Sequence, residues 1–124
     1  MAPDEVVGAQ FRAHRVAPGY VRCDHPHGAE VTGHDAGEAL QALASLASGP
    51  TTPVLVDLRE TRSVSREARQ AFANSTVPSR IALLVESSLS RVIANFFIGV
   101  TGPNVPTRVF TDLDDAQRWL LDVG

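Results

Sequence analysis

Lysine is absent from this sequence, and all 11 cationic side chains among its 124 residues are arginines. A phosphate-binding loop of the Walker A type needs a lysine on the nucleotide phosphates, and Schiff-base chemistry needs a lysine amine. Both classes of function are therefore excluded. Cysteine is nearly absent as well: Cys23 stands alone, so no internal disulfide can form, which fits a reducing compartment.

Long apolar segments and an excess of positive charge are also missing. The longest nearly apolar run, residues 92–100, is far shorter than the roughly 20 residues that a membrane-spanning helix needs. Residues 1–10 include Asp4 and Glu5 and lack the apolar core of a signal peptide. The formal net charge of −3 argues against a nucleic-acid partner. We therefore expect a soluble, cytoplasmic protein without a membrane span.

Short apolar segments alternate with helical patterns along the rest of the chain. We predict strands at residues 10–16, 20–24, 53–58, 80–86 and 107–110, and helices that begin near Thr32, Ser65, Ser88 and Asp112. This order predicts an α/β fold: a mostly parallel sheet of four to five strands, an antiparallel N-terminal hairpin and about four helices. The domain would span residues 10–122, after an N-terminal tail of residues 1–9.

Polar residues gather where the predicted parallel strands end and the next helices begin. These ends meet at one edge of such a sheet, where ligands commonly bind. The planar guanidinium of arginine suits recognition of carboxylate or phosphate. The candidate residues for binding an anion or a partner are Asp57, Arg59, Arg62, Arg66, Arg69, Ser87, Ser88 and Arg91.

A purely structural interpretation of the same residues stays open. Serine is among the leading helix-capping residues, so Ser65 is expected to cap the helix that follows it. Asp57 would hold the loop after its strand by accepting backbone N–H bonds. The arginines would then form an ordinary solvated surface.

The segment from Cys23 to His27 raises the question of a metal site or a catalytic thiol. Imidazole and thiolate suit zinc, but a closed zinc site needs four well-separated ligands, and a second ligand pair is missing. A nucleophile formed by Cys23 with His25 or His27 lacks an evident orienting group. We predict no cofactor, no metal and no catalytic residue, and we keep an enzyme using Cys23, His25 and His27 as a minor alternative.

The predicted helix at residues 88–100 is unusually apolar for a surface helix. Packing on the sheet accounts for most of its stripe, while Phe97 and Ile98 on one edge indicate a protein partner or a homodimer interface. A second possibility is that Phe96 and Phe97 cover an apolar pocket, as in a small carrier of lipids or other hydrophobic ligands.

Three pairs of segments resemble a known family. They are Val54-Leu-Val-Asp-Leu-Arg59 with Ser65-Arg-Glu-Ala-Arg69, Ile81-Ala-Leu-Leu-Val-Glu86 with Leu89-Ser-Arg-Val-Ile-Ala-Asn-Phe-Phe97, and Arg108-Val-Phe-Thr-Asp112 with Ala116-Gln-Arg-Trp-Leu120. Together they resemble STAS-like proteins related to bacterial anti-sigma-factor antagonists, in the branch often grouped with CRAL-TRIO lipid-binding domains. The resemblance covers roughly residues 10–122.

This resemblance implies a non-catalytic regulatory module that binds a protein or a small ligand. In anti-sigma-factor antagonists, a partner kinase phosphorylates a serine at the start of the helix after the central strand. By this resemblance, Ser65 is the first phosphorylation candidate and Ser63 the second. The matching stretch, residues 63–68, lacks the Ser-Ser-Gly core of the family motif.

Overall fold

A computed structural model describes residues 5–8, 10–16, 19–46, 52–74, 78–86, 92 and 106–122. The strands are β1 (Glu5–Val7), β2 (Arg12–Val16), β3 (Tyr20–Asp24), β4 (Ala29–Val31), β5 (Thr52–Asp57), β6 (Thr61–Val64), β7 (Pro78–Leu84) and β8 (Thr107–Phe110). The helices with described bounds are α1 (Gly33–Leu46), α2 (Arg66–Asn74) and α3 (Leu113–Leu121).

Six strands form the main sheet, in the order β1-β2-β3-β5-β7-β8. β1, β2 and β3 are antiparallel neighbours, whereas β3, β5, β7 and β8 run parallel. Parallel neighbours need crossover connections, and α1 and α2 lie in the connections that lead to β5 and β7. The predicted α/β class, the N-terminal hairpin and the mostly parallel sheet are confirmed.

Helix α1 begins near Thr32, as predicted, with a reciprocal cap between Thr32 and Asp35. The Asp35 N–H donates to Thr32 Oγ1 at 3.2 Å, and the Thr32 N–H donates to Asp35 Oδ2 at 3.0 Å. Such a cap typically stabilises a helix by about 1 kcal/mol. At the other end, Arg15 Nε donates to the Leu46 carbonyl at 2.9 Å, which places a cation at the negative end of the helix dipole.

The alternation of side chains along β5 divides the core between the two faces of the sheet. Val54 and Val56 pack with α1 on one face, and Leu55 packs with α3 on the other. Because both faces of β5 are covered, the strand is an apolar run rather than a polar–apolar alternation. Fully burying a side chain such as Leu55 contributes about 2 kcal/mol. We call the side of the sheet covered by α3 the α3 face.

A second, two-stranded sheet lies beside the main one and was not predicted. β4 and β6 run parallel, with Val31 opposite Val64. Ala29 and Val31 pack against Ala36 of α1 and Ala68 of α2. The stretch that we expected to be a continuous loop, residues 59–65, therefore contains a short turn followed by strand β6.

The N-terminal boundary also differs from the prediction. Glu5–Val7, assigned from the sequence to a tail, forms β1 and adds a sixth strand to the sheet, with Val6 opposite Ala13. Val6 packs against the main core, while Val7 points to solvent. An exposed ion pair between Arg12 Nη2 and Glu5 Oε2, at 2.6 Å, links the two strands.

The third of the four predicted helices, residues 88–100, lies outside the described residues except for Val92. Val92 is helical, but 59% of it is exposed, so its side chain does not belong to the buried stripe that the spacing predicts. No helix in the described part of the chain is both long and apolar enough to cross a membrane.

Candidate functional site

Two arginines and two aspartates form a cluster at the carboxyl ends of β3 and β5. The parallel register places Arg22 opposite Leu55, so Asp24 lies level with Asp57, which ends β5. Side chains alternate along a strand, so all three charged groups lie on the α3 face. Arg59, in the turn after β5, completes the set, which we call the Asp57 cluster.

Asp57 is the central acceptor of this cluster, and only 13% of its side chain is exposed. Its carboxylate accepts the Arg59 backbone N–H at 3.0 Å, the loop bond that the structural interpretation predicts. It also accepts Arg59 Nη2 at 2.8 Å and Arg22 Nη2 at 3.1 Å. The Arg22 guanidinium in turn donates from Nε to Asp24 Oδ1 at 2.7 Å.

The charges within the Asp57 cluster balance. Burial alone would raise the pKa of Asp57, but the hydrogen bonds and positive charge of Arg59, together with Arg22, outweigh it and hold the pKa below its ordinary value. Asp57 is therefore ionised at neutral pH, and two carboxylates face two guanidiniums. Since Asp57 and Arg59 bind each other, this cluster fixes the end of β5 rather than presenting unpaired charge.

His25 joins the Asp57 cluster to the loop after β3. Its Nδ1 lies 3.1 Å from the Asp57 carbonyl oxygen, so the neutral ring is assigned as a donor from Nδ1. Burial lowers the pKa of His25, an effect that the hydrogen bond to the Asp57 carbonyl and the neighbouring carboxylates only partly offset. A backbone bond from Gly28 N–H to the Glu60 carbonyl, at 2.8 Å, ties the same two loops together.

The remaining predicted residues of this edge lie on a second surface, formed by β6 and the start of α2. Ser63 and Arg62 are exposed on β6, Arg66 is exposed at the first position of α2, and Ser65 lies half-buried between them. We call these four residues the β6–α2 surface. Arg62 is 73% exposed and reaches Glu30 Oε1 only at 4.0 Å, which is a weak ion pair.

Ser65 caps α2 as the sequence predicts. Its Oγ accepts the Ala68 N–H at 3.1 Å, and its carbonyl accepts the Arg69 N–H at 2.9 Å. Its own N–H donates to the Val31 carbonyl at 2.9 Å, which anchors the helix start to β4. Arg69, one turn into the helix, is half-buried, so it is not part of the exposed surface.

Five predicted site residues lie outside the described part of the chain. They are Ser87, Ser88 and Arg91, proposed for binding, and Phe97 and Ile98, proposed for an interface.

The minor alternative that uses Cys23, His25 and His27 is not supported by where these residues lie. Cys23 is 1% exposed in the core beside α1, and burial raises the pKa of its thiol to about 12. A protonated, inaccessible thiol is neither a nucleophile nor a metal ligand. His27 is exposed instead, with Nδ1 at 3.4 Å from Glu60 Oε1. In the described ranges, no three His, Cys, Asp or Glu residues come close enough to hold a metal ion.

A surface groove of about 350 Å³ borders the Asp57 cluster on the β1–β2 side. Its lining mixes apolar groups, including Val7 and Phe11, with the charged Arg12 and Asp24. This mixed lining is poorly suited to a purely apolar ligand. The two phenylalanines suggested as a cover for a hydrophobic ligand, Phe96 and Phe97, lie outside the described residues.

Sequence reasoning missed Arg22 and Asp24 as members of the cluster. The available signal was that the two charges lie two residues apart on β3 and alternate with Val21 and Cys23, which are buried. Such alternation predicts that the two side chains share a face. It does not reveal which residue of β5 lies opposite them.

A family model described as "Domain of unknown function (DUF7793)" matches residues 16–123. The chain belongs to this family. No curated protein matches it.

Among solved structures, this DUF7793 domain is similar to an uncharacterised protein of the DUF3478 family from Shewanella loihica PV-4, described as having a SpoIIAA-like fold. The two share 20% sequence identity with a TM-score of 0.60, over 93% of this chain and 98% of that one. The domain thus has the SpoIIAA-like, or STAS, fold, which confirms the resemblance noted in the sequence. A protein of unknown function from Arthrobacter sp. FB24 is 40% identical over 87% of this chain and 96% of that one, with a TM-score of 0.35.

Proposed function

We propose that this chain is a non-catalytic regulatory module that binds a protein partner through its β6–α2 surface. The observation that carries the proposal is the contrast in exposure at the edge of the sheet. Asp57 and Arg59 bind each other, whereas Arg62, Ser63 and Arg66 extend into solvent beside a helix N-terminus. The SpoIIAA-like fold supports the proposal, because this fold often serves as a protein-interaction module.

The chemistry of the surface favours an acidic partner. Guanidinium groups form paired hydrogen bonds with carboxylates, and the positive end of the α2 dipole adds to the attraction. Arg66 makes no ion pair with a described residue, and Arg62 makes only the long contact with Glu30. Binding a carboxylate here would therefore disrupt little of the existing structure.

Phosphorylation of Ser65 or Ser63 would add negative charge to this surface. A phosphate on Ser65 would lie at the positive end of α2 and could take over the capping bond to Ala68. The added negative charge would weaken attraction to an acidic partner. Ser63 is the more accessible of the two hydroxyls, since it is exposed on β6 while Ser65 is half-buried.

The test uses affinity capture followed by reconstitution. The intact chain is used to capture proteins from its native extract, each captured protein is purified, and its dissociation constant is measured by calorimetry. We expect the double substitution Arg62→Glu and Arg66→Glu to weaken binding at least about tenfold, since like charges would then face each other. Arg118→Glu, on the distant helix α3, is the matched control and should leave the affinity unchanged.

The proposed regulation by phosphorylation is tested separately. Ser65→Asp and Ser63→Asp mimic the added charge, and one of them should weaken binding by at least about fivefold, whereas Ser45→Asp on α1 should not. If all three variants bind the partner with equal affinity, regulation by phosphorylation at Ser65 or Ser63 is refuted. If no purified protein binds and light scattering finds no self-association, the binding module itself is refuted.

A further inference from the structure

A second pair of arginines lies at the opposite end of the sheet, near the start of β7 and β8. The Arg80 guanidinium lies over the Trp119 ring at 4.9 Å from its centroid, and its Nη1 donates to the Trp119 carbonyl at 2.6 Å. The Arg108 guanidinium lies over the Phe110 ring at 5.2 Å and over Trp119 at 5.8 Å. The two rings contact each other, with their centroids 5.6 Å apart.

No carboxylate of a described residue neutralises either of these arginines. In the described part of the chain, neither guanidinium forms an ion pair with a carboxylate, and Arg118, the cation of α3, pairs with Asp115 instead. Aromatic rings hold the two guanidiniums in place without cancelling their charge. A fixed positive patch thus exists on a chain whose formal net charge is −3.

The same patch borders β8, which is an edge of the sheet among the described strands. β8 is the last strand in the sheet order, and no described strand pairs with its outer side. The Ile81 and Val85 N–H groups donate to the carbonyls of Pro106 and Phe110, so alternate residues of β8 face β7. The backbone N–H and C=O of Val109 consequently point outward, away from β7.

We propose that the outer edge of β8 binds an acidic segment of another protein as an added strand. Backbone pairing with Val109 would supply the affinity, and acidic side chains on the α3 face of the added strand would lie against Arg108 and Arg80. This site is separate from the β6–α2 surface and does not depend on it.

A second copy of this chain fits the same edge poorly. Two β8 strands paired edge to edge would bring Arg80 and Arg108 of both copies onto one face, where no described carboxylate offsets them. Like charges across paired strands are destabilising. The charge of the patch therefore favours a partner of opposite sign.

The experiment measures fluorescence anisotropy of a labelled peptide of alternating threonine and glutamate, titrated with the intact chain. We expect binding that weakens with salt, and that falls about fivefold for Arg108→Gln and for a peptide with glutamine in place of glutamate. Arg12→Gln removes an exposed arginine of β2, on the other side of the sheet from β8, and should bind the peptide as the wild type does.

Two further measurements test the added strand itself. Val109→Pro removes the outward N–H while sparing the bonds to β7, and it should abolish binding. Hydrogen exchange at the Val109 amide of the wild-type chain should slow at least about tenfold when the peptide is saturating. If the proline variant does not fold, hydrogen exchange at Val109 and the titration of Arg108→Gln still test the proposal.

Four outcomes overturn the proposal. They are equal binding of the glutamate and glutamine peptides, unchanged affinity of Arg108→Gln, unchanged exchange at Val109 on saturation, and protection of Val109 by self-association without peptide.

Discussion

The arginines at the two ends of the sheet are held by different means. Arg22 and Arg59 are bound by the carboxylates of Asp24 and Asp57, within a cluster whose charges cancel. Arg80 and Arg108 are held by aromatic rings and a backbone carbonyl, which position the guanidiniums and leave their charge in place. The first arrangement stabilises the fold, and the second keeps a charged group ready for a ligand.

The contrast explains why a count of arginines is a poor guide to a binding surface. Arg59 follows a buried parallel strand, the position where ligands usually bind, yet it binds Asp57. Arg108 lies on a short edge strand at the other end and is exposed. Whether an arginine can bind a ligand depends on the group that already contacts its guanidinium.

Asp57→Asn should show the largest effect on stability. The substitution removes the charge that both Arg22 and Arg59 face, and Arg22 is only 19% exposed. Because the pair is partly hydrated, we expect a loss of about 2 kcal/mol in the free energy of unfolding. Urea unfolding followed by circular dichroism measures it. Glu30→Gln, an exposed control, should change it by less than about 0.5 kcal/mol.

The pH dependence of stability gives a second test of the role of Asp57. The pKa of Asp57 is lower in the folded chain than its ordinary value of 3.8, so its ionisation stabilises the fold above that pH. The difference in unfolding free energy between the wild type and Asp57→Asn should be constant from pH 5 to 7 and shrink as the pH falls below 3.8. A difference that grows on acidification would contradict the assigned role.

Arg80→Gln should have an intermediate effect. It removes the bond to the Trp119 carbonyl and the cation–π contact, each of which is partly exposed to water. We expect a loss of about 1 kcal/mol, together with a change in Trp119 fluorescence. A loss as large as that of Asp57→Asn would mean that the aromatic pair holds the fold as the carboxylates do.

Arg108→Gln should have the smallest effect on stability. The side chain is exposed and makes no ion pair with a described residue, so we expect a change within about 0.5 kcal/mol. The matched substitution at the other end, Arg22→Gln, should cost clearly more in the same urea experiment. Equal costs at the two ends would remove the distinction between a structural and an available arginine.

Much of the fold could be predicted because its signals are local. The buried run of β5 and the Thr32–Asp35 cap of α1 each lie within a few neighbouring residues. β1 was missed because three residues are too few to establish an alternation. β6 was missed because Thr61-Arg-Ser-Val has the composition of a loop, and its pairing with β4 depends on contacts about thirty residues away along the chain.

The candidate site was less predictable, because its contacts join distant segments. Placing Asp57 at the end of a strand required only the local pattern, and so did the Ser65 cap. The contact between Arg22 and Asp57 depends on the register of β3 against β5, and the Arg80–Trp119 stack depends on how α3 crosses the sheet. Neither contact can be predicted from the spacing of residues in the sequence.

Because Cys23 is buried, the reaction of its thiol with a reagent can be used to measure unfolding. A thiol reagent cannot reach this sulfur until the core between the sheet and α1 opens, and the native thiol stays protonated. At low reagent concentration, the labelling rate therefore reports the free energy of the opening that exposes β3. Since the chain has one cysteine, that single modification follows the stability of the sheet without any engineered label.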